Sequence, residues 1–190
     1  MGTLEQPEPR RPRSTRDRPA KPPLSAEVIV DAALEILRGG EGLEAVTMRR
    51  VATLLDTGPA SIYVYIRNQE ELRVAMLQRV LGAVELESPD PGRWREQVHV
   101  LVRRLLDAYQ AHPGIAAVAA TRSPSREARP RIADALLGLL SAGAIDAQDA
   151  AWACDVLPML ASASATAGSG EDLCEFAVDT FLAGLVARAE

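Results

Sequence analysis

The chain has 190 residues, of which 47% are apolar, and this is enough to build one or two small domains around a real core. No apolar run reaches the roughly 18 residues that a membrane-spanning helix needs, and the polar N-terminal residues lack the apolar segment of a secretory signal peptide. These features argue against a membrane protein or a secreted one, and they predict a soluble cytoplasmic protein.

The net charge of −5 does not by itself indicate a nucleic-acid partner, but the charge is unevenly distributed. Residues 1–23 combine six Lys or Arg with three acidic residues and several prolines, a composition typical of a disordered segment. This arm is either a solvated tail or a basic segment that touches DNA phosphates. Residues 24–80 are slightly acidic, so any DNA contact there depends on a few locally placed basic side chains.

Two helices are predicted directly after the arm. Apolar residues recur at helical spacing from Ile29 to Leu37, with Ser25 as a plausible N-cap and Gly39-Gly40 as a stop. A short second helix begins after Thr47, which is expected to act as its N-cap, and ends around Asp56.

The segment GPASIYVYIRNQEEL, residues 58–72, could be a strand because Tyr63 and Tyr65 alternate with aliphatic residues. A third helix is the better interpretation, since Pro59 suits a first helical position and a lone strand would have no partner. Ile62 and Ile66 then face inward together. Asn68 is expected to open a fourth helix as part of a capping box with Glu71. Short helices joined by tight connections are typical of a helix-turn-helix unit.

The rest of the chain is also predicted to be helical, which gives an all-α fold of about nine helices. Asp146 is expected to cap a helix over residues 147–167, in which Pro158 should cause a kink or a break. This helix and the last one, over residues 171–188, are apolar on more than one side and therefore need burial all round. They are predicted to form a four-helix bundle with a second copy of the chain, or else to fill the core of one protomer. The predicted interface residues are Leu157, Leu160, Val178, Leu182 and Leu185.

No motif in the sequence indicates an enzyme or a metal site. Cys154 and Cys174 lie in apolar helical patterns without a second pair, so they are expected to be reduced core thiols. Glu96 and His99 have the spacing of a di-iron ligand pair, but a second such pair is missing. Gly-rich phosphate loops and nucleophile elbows are also missing. We therefore expect no catalytic residue, no metal and no cofactor.

Residues 47–55, TMRRVATLL, and residues 61–72, SIYVYIRNQEEL, resemble the TetR family of transcriptional regulators, and within it the tetracycline-repressor branch. The resemblance is strongest over residues 25–80 and rests on the plan of helices over residues 90–190. It implies a DNA-binding unit at residues 24–80 and a domain at residues 81–190 that binds a small molecule and dimerises.

The resemblance also assigns residues to DNA contacts. Arg49 occupies the position at which family members contact a guanine edge. Its planar guanidinium group is suited to donate two hydrogen bonds to that edge. Pro59 and Ala60 would meet base edges or a thymine methyl group. Phosphate contacts are implied for Thr47, Ser61, Tyr63, Tyr65, Asn68 and Gln69.

Two positions depart from the family pattern. Asp56 stands where glycine is common, and it brings a negative charge near the DNA-binding face. Gly58 stands where a polar N-cap is common. An unusual operator or a modest affinity is the expected consequence.

The small-molecule site implied by the resemblance is expected among the helices over residues 93–142 and 147–167, in a mostly apolar cavity. The candidate residues are Trp94, His99, Leu101, Leu105, His112, Trp152 and Met159. Neither histidine aligns securely with a metal ligand of the tetracycline-repressor branch, so no metal is expected with the small molecule.

Two functional hypotheses follow from the sequence. The first is a dimeric repressor that a small-molecule effector of unknown identity releases from a palindromic DNA operator. The second is an all-helical binding module whose helix-turn-helix has lost its DNA binding, which the acidic residues 24–80 and Asp56 would favour. A steep salt dependence of DNA binding would distinguish the first from the second.

Overall fold

The structure is a computed structural model that describes residues 23–121, 130–168 and 171–189. The predicted arm at residues 1–23 lies outside these ranges, apart from Pro23. Every regular element in the described ranges is a helix, which confirms the predicted all-α fold. No helix in the same ranges is long and apolar enough to cross a membrane.

The N-terminal part of the fold consists of four α-helices. They are α1 (Ala26–Ile36), α2 (Met48–Leu54), α3 (Pro59–Tyr63) and α4 (Gln69–Gly82). The Ser25 hydroxyl caps α1 by accepting a hydrogen bond from the Val28 N–H at 3.3 Å, as predicted. A π-helical turn at Leu37–Glu41 and a 3₁₀ turn at Leu43–Ala45 lead into α2. Gly40 takes a positive φ of 84°, which turns the chain away from α1.

In residues 83–121, 130–168 and 171–189, the C-terminal part consists of five α-helices. They are α5 (Trp94–Gln110), α6 (Ile115–Thr121), α7 (Pro130–Ala142), α8 (Ala147–Ala167) and α9 (Glu171–Ala189). Helix α8 is central, because α5, α6, α7 and α9 all pack against it. Helix α4 packs on α1 and on α6, so it joins the two parts of the molecule. Since α4 ends at Gly82, it passes the predicted boundary at residue 80 by two residues.

Helix α8 begins and ends as predicted, at residues 147 and 167. The Asp146 carboxylate accepts a hydrogen bond from the Gln148 N–H at 2.8 Å and caps the helix. Pro158 lies inside α8 and the helix runs through it without a break, so of the two predicted effects, a kink or a break, the break does not occur. Burial of Pro158 and its neighbour Leu157 against the other helices offsets the hydrogen bond that proline cannot make.

The two cysteines are unpaired thiols, as predicted. Cys174 is buried on α9, and Cys154 is half-buried on α8, where its Sγ lies 3.6 Å from the Ala133 carbonyl oxygen. Burial raises the pKa of the Cys154 thiol to about 11, with smaller contributions from nearby carboxylates. The thiol is therefore protonated at neutral pH and is a poor nucleophile.

Gly143, directly after α7, lets the Trp94 ring at the start of α5 pack closely against the backbone. A Cβ atom at this position would lie 2.9 Å from Cγ of Trp94 and still closer to two other atoms of the indole ring. We expect Gly143→Ala to destabilise the fold by about 1–3 kcal/mol, because the ring must move or the helices must separate. Urea unfolding measures this change. Gly82→Ala is the matched control, since no atom lies within 4 Å of the point that its new methyl group would occupy, and it should not lower the stability.

Candidate DNA-recognition surface and effector region

Helix α3 is short, and its position is set by two buried isoleucines. Gly58 is the N-cap and Pro59 the first helical residue, as predicted. Ile62 and Ile66 are almost fully buried, and the Ile66 N–H donates to the Ile62 carbonyl at 3.0 Å. The segment is therefore a helix that continues as a helical turn, and the alternative of a strand is wrong. Anchoring on this side leaves Tyr63, Val64 and Tyr65 exposed to solvent.

The turn between α2 and α3 depends on an aspartate in a left-handed conformation. Asp56 has a φ of 51°, as expected for the position where glycine is common in the family. The Thr57 N–H donates to the Ala52 carbonyl at 2.9 Å, which closes the C-terminal end of α2. The turn brings α2 and α3 into contact, so both helices contribute to one helix-turn-helix unit.

The adjacent residues Arg49 and Arg50 have different environments on α2. The Arg50 guanidinium forms a two-point ion pair with Glu41, in which Nη1 lies 2.7 Å from Oε2. Hydrogen bonds from Arg50 lower the pKa of the Glu41 carboxyl, so the pair is ionised at neutral pH. The Arg49 side chain is exposed, and among the described residues no carboxylate pairs with it. Arg49 is thus available to a ligand, and Arg50 is held within the protein.

The start of α2 and the start of α4 are held together by side chains. Thr47 Oγ1 accepts from the Arg50 N–H at 3.2 Å, and Asn68 Oδ1 accepts from the Glu71 N–H at 2.8 Å, so both predicted N-caps are confirmed. Gln69 Nε2 donates to the Val46 carbonyl oxygen. This amide N–H links α4 to the residue before the α2 cap, and the phosphate contact of Gln69 stays a prediction that depends on its second amide N–H.

The capping box at α4 also differs from the prediction. A reciprocal bond from Glu71 to the Asn68 N–H was expected. Instead, Glu71 Oε2 accepts from the backbone N–H of Arg67 at 2.6 Å, one residue earlier, and the Arg67 guanidinium pairs with the same carboxylate. These bonds from Arg67 lower the pKa of the Glu71 carboxyl. The Glu71 side chain thus stabilises the bend between α3 and α4.

The remaining predicted DNA contacts differ in exposure. Pro59 and Ala60 are exposed at the start of α3, Tyr63 and Tyr65 are exposed at its end, and Ser61 is half-buried. Thr47 and Asn68 are exposed at the starts of α2 and α4, and each has used its side-chain oxygen as a cap acceptor. The Thr47 hydroxyl and the Asn68 amide still have donors for a phosphate.

The seven candidates for the small-molecule site have different surroundings: His99 and His112 border different cavities, and the role of the seven stays a prediction. Leu101 and Leu105 are buried in the core, and Trp94 packs over Gly143. Trp152 and Met159 are half-exposed on α8. The two histidines of the set lie in separate places, described next.

His99 faces α9, where its Nε2 lies 2.9 Å from Oδ1 of Asp179 and it borders a small cavity of about 20 Å³. His112 borders a cleft of about 440 Å³ between α1, α4 and α5. In that cleft, the Arg38 Nη2 lies 3.1 Å from the His112 Nε2, and the His112 Nδ1 lies 2.9 Å from the Ala108 carbonyl oxygen. A guanidinium can only donate, so His112 carries its proton on Nδ1 here. No pattern in the sequence indicates the contact with Arg38, because the two residues are 74 positions apart.

The predicted dimer-interface residues are mostly core residues of one protomer. Leu157, Val178, Leu182 and Leu185 are buried within one protomer, so their prediction as interface residues is corrected, whereas the half-buried Leu160 stays a predicted interface residue. The same two helices expose other apolar side chains. We name these the outer hairpin residues: Trp152, Met159, Leu173 and Phe176. An ion pair between Asp149 and Arg188, 3.2 Å apart, joins the start of α8 to the end of α9.

The described residues contain no group of His, Cys, Asp or Glu side chains that could hold a metal ion. Glu96, half of the di-iron spacing noted in the sequence, pairs with Arg93 instead, with Nη2 and Oε1 2.8 Å apart.

A helix-turn-helix unit joined through α4 to a larger helical domain defines the class of two-domain, all-α transcriptional regulators. Comparison with known proteins agrees with this class. The family model described as "Tetracyclin repressor-like, C-terminal domain" matches residues 88–175. The chain is 38% identical over 103 residues to the HTH-type transcriptional repressor DrrR1 of Streptomyces coeruleorubidus. That alignment covers 54% of this chain and 38% of DrrR1, so the chain matches well under half of that relative's length.

Two solved structures extend the similarity over nearly the whole chain. Apo ActR from Streptomyces coelicolor is 30% identical, with a TM-score of 0.82 and coverage of 88% of this chain and 97% of ActR. BioQ with its double-stranded DNA operator is 26% identical, with a TM-score of 0.75 and coverage of 86% and 99%. ActR has also been crystallised with actinorhodin. The chain belongs to the TetR family of transcriptional regulators.

Proposed function

We propose that the protein is a homodimeric repressor that binds a palindromic DNA operator through α2 and α3 and is released by a small-molecule effector. The observation that carries this proposal is the anchoring of α3: two buried isoleucines fix the helix while its opposite side and the neighbouring Arg49 stay free. The similarity to operator-bound BioQ and to ligand-bound ActR supports DNA and small-molecule partners.

The residues proposed to contact DNA follow from their exposure. Arg49 would read a guanine edge, with Pro59 and Ala60 against neighbouring base edges. Thr47, Tyr63, Tyr65 and Asn68 carry donors suited to phosphate oxygens, with a smaller part for the half-buried Ser61. Gln69 would act mainly by holding α4 against the start of α2.

Dimerisation is proposed through the outer hairpin residues of α8 and α9. Four large apolar side chains exposed on two adjacent helices are an unusual surface for a monomer and suit a self-complementary contact. A two-fold axis would place the two copies of α3 about one turn of DNA apart, roughly 34–36 Å, which fits a palindromic operator.

The effector is proposed to act on the C-terminal domain, and its effect should be reciprocal. If the effector weakens operator binding by a given factor, then operator DNA must weaken effector binding by the same factor, about 5–150-fold in typical cases. Titrating each ligand in the presence and absence of the other measures both factors. Effector and operator affinities that prove independent would contradict release by the effector.

The test of the whole proposal is selection of random duplexes by the purified full-length chain, followed by sequencing of the bound pool. A palindromic motif, with scattering that shows a dimer, is the expected result. A folded dimer that enriches no motif would favour the binding module without DNA function, and Asp56 and Gly58 would then be the first residues to replace.

We also infer that the protein has no catalytic activity, since the family consists of transcriptional regulators and the sequence contains no catalytic motif. Binding to an operator would place it in the cytoplasm with the DNA.

A further inference from the structure

Val64 is the most exposed large apolar side chain in the described part of the chain. Its exposed fraction is 78%, against 51% for Tyr63 and 44% for Tyr65 beside it. An isolated exposed valine would need no explanation on an ordinary surface. This one lies on the helix-turn-helix unit, at the end of the helix that the proposed function places against DNA.

The backbone fixes the direction of the Val64 side chain. The residue keeps helical dihedral angles, with φ −67° and ψ −32°, and the hydrogen bond from Ile66 to Ile62 spans it. With about 100° of rotation per residue, Val64 points roughly 160° away from each of the two buried isoleucines. Ala60, four residues earlier, shares this side of the helix and is also exposed. Val64 therefore lies on the side of α3 that is opposite the two buried isoleucines.

A branched aliphatic group at this position has one good partner in the major groove of DNA. The base edges there present hydrogen-bond donors and acceptors, and the C5-methyl group of thymine is their apolar feature. An isopropyl group pressed against a polar edge would leave that edge without its hydrogen bonds, which is unfavourable. Contact with a methyl group removes apolar surface from water on both sides.

We propose that Val64 is a specificity-determining residue that contacts a thymine C5-methyl group in each operator half-site. The inference rests on the proposed DNA-binding function and adds a base preference to it. Arg49 on α2 and Val64 on α3 would then read different groups, a guanine edge and a methyl group.

The experiment removes the methyl group and nothing else. Each symmetric pair of thymines in the selected operator is replaced in turn by deoxyuridine, and affinity is measured for the wild type and for Val64→Ala. At one pair, the wild type should lose affinity by about fourfold per methyl group, or about 15-fold for two half-sites. Val64→Ala should bind the thymine and deoxyuridine operators equally, so that the two changes are fully coupled.

The controls separate this contact from a general effect. Leu54→Ala removes another exposed apolar side chain, on α2, and should keep the sensitivity to deoxyuridine. A cytosine at the same pair should weaken binding, and 5-methylcytosine should restore part of it for the wild type only. Unfolding of Val64→Ala should match the wild type, because the side chain is mostly exposed.

Two results would overturn the inference, and they differ from failure of the proposed function. If no thymine pair is sensitive to deoxyuridine, or if Val64→Ala keeps the sensitivity, then Val64 does not read a methyl group although the protein still binds its operator. If the selection enriches no motif, the proposed function fails first and this contact fails with it.

Discussion

Replacement of Phe176 by glutamate is expected to convert the proposed dimer into monomers and to weaken operator binding by about 100-fold or more. Phe176 is 66% exposed on α9 and belongs to the outer hairpin residues. A two-fold axis introduces the new carboxylate twice into one apolar contact, where it would be buried without a partner. A monomer loses the gain in affinity that comes from binding two half-sites together.

Light scattering of the Phe176→Glu variant measures the association, and an operator titration measures the loss of affinity. Leu137→Glu is the matched control, because Leu137 is an exposed leucine on a different helix, α7, and is not one of the outer hairpin residues. That variant should stay dimeric and bind the operator normally. A Phe176→Glu variant that folds and remains a dimer would show that the interface lies elsewhere.

The second large effect is expected from Arg49→Ala, which should lose discrimination at one operator position by about 1–3 kcal/mol. The Arg49 guanidinium is exposed and has no carboxylate partner among the described residues, so its donors are available to O6 and N7 of a guanine. Affinities for operators with each of the four bases at every position, measured for the wild type and the variant, would locate that position.

Two variants serve as comparisons for Arg49→Ala. Arg50→Ala removes the neighbouring arginine, which is bound by Glu41, and should leave the base preferences unchanged. Tyr63→Ala should weaken binding to all sequences similarly, as loss of a phosphate contact does, with little change in stability. If Tyr63→Ala changed the base preference and Arg49→Ala did not, the DNA-facing sides of α2 and α3 would be assigned wrongly.

The cleft at His112 could not be predicted from the sequence, because its lining residues are distant from one another in the chain. The 440 Å³ cleft at His112 is completed by Arg38 and Asp31 of the N-terminal part and by Arg79 of α4. No spacing within α5 indicates these partners. Trp94, Trp152 and Met159 are apolar residues on α5 and α8, but which side of a helix is buried depends on how the helices pack.

The sequence by itself determined the local features of this protein. The N-caps Thr47, Asn68 and Asp146 act within three residues of their own position, and the left-handed turn at Asp56 is equally local. The spacing of Ile62 and Ile66 was enough to predict which side of α3 is anchored.

Only the tertiary structure decided which side of each C-terminal helix faces the protomer core. Helices α8 and α9 are apolar on several sides, so periodicity could not separate the core leucines, such as Leu157 and Leu182, from the exposed Phe176 and Met159. The same holds for Gln69, whose amide binds the Val46 carbonyl 23 positions away. Such choices depend on packing between segments that are distant in the chain, whereas helix caps and helical periods depend on neighbours alone.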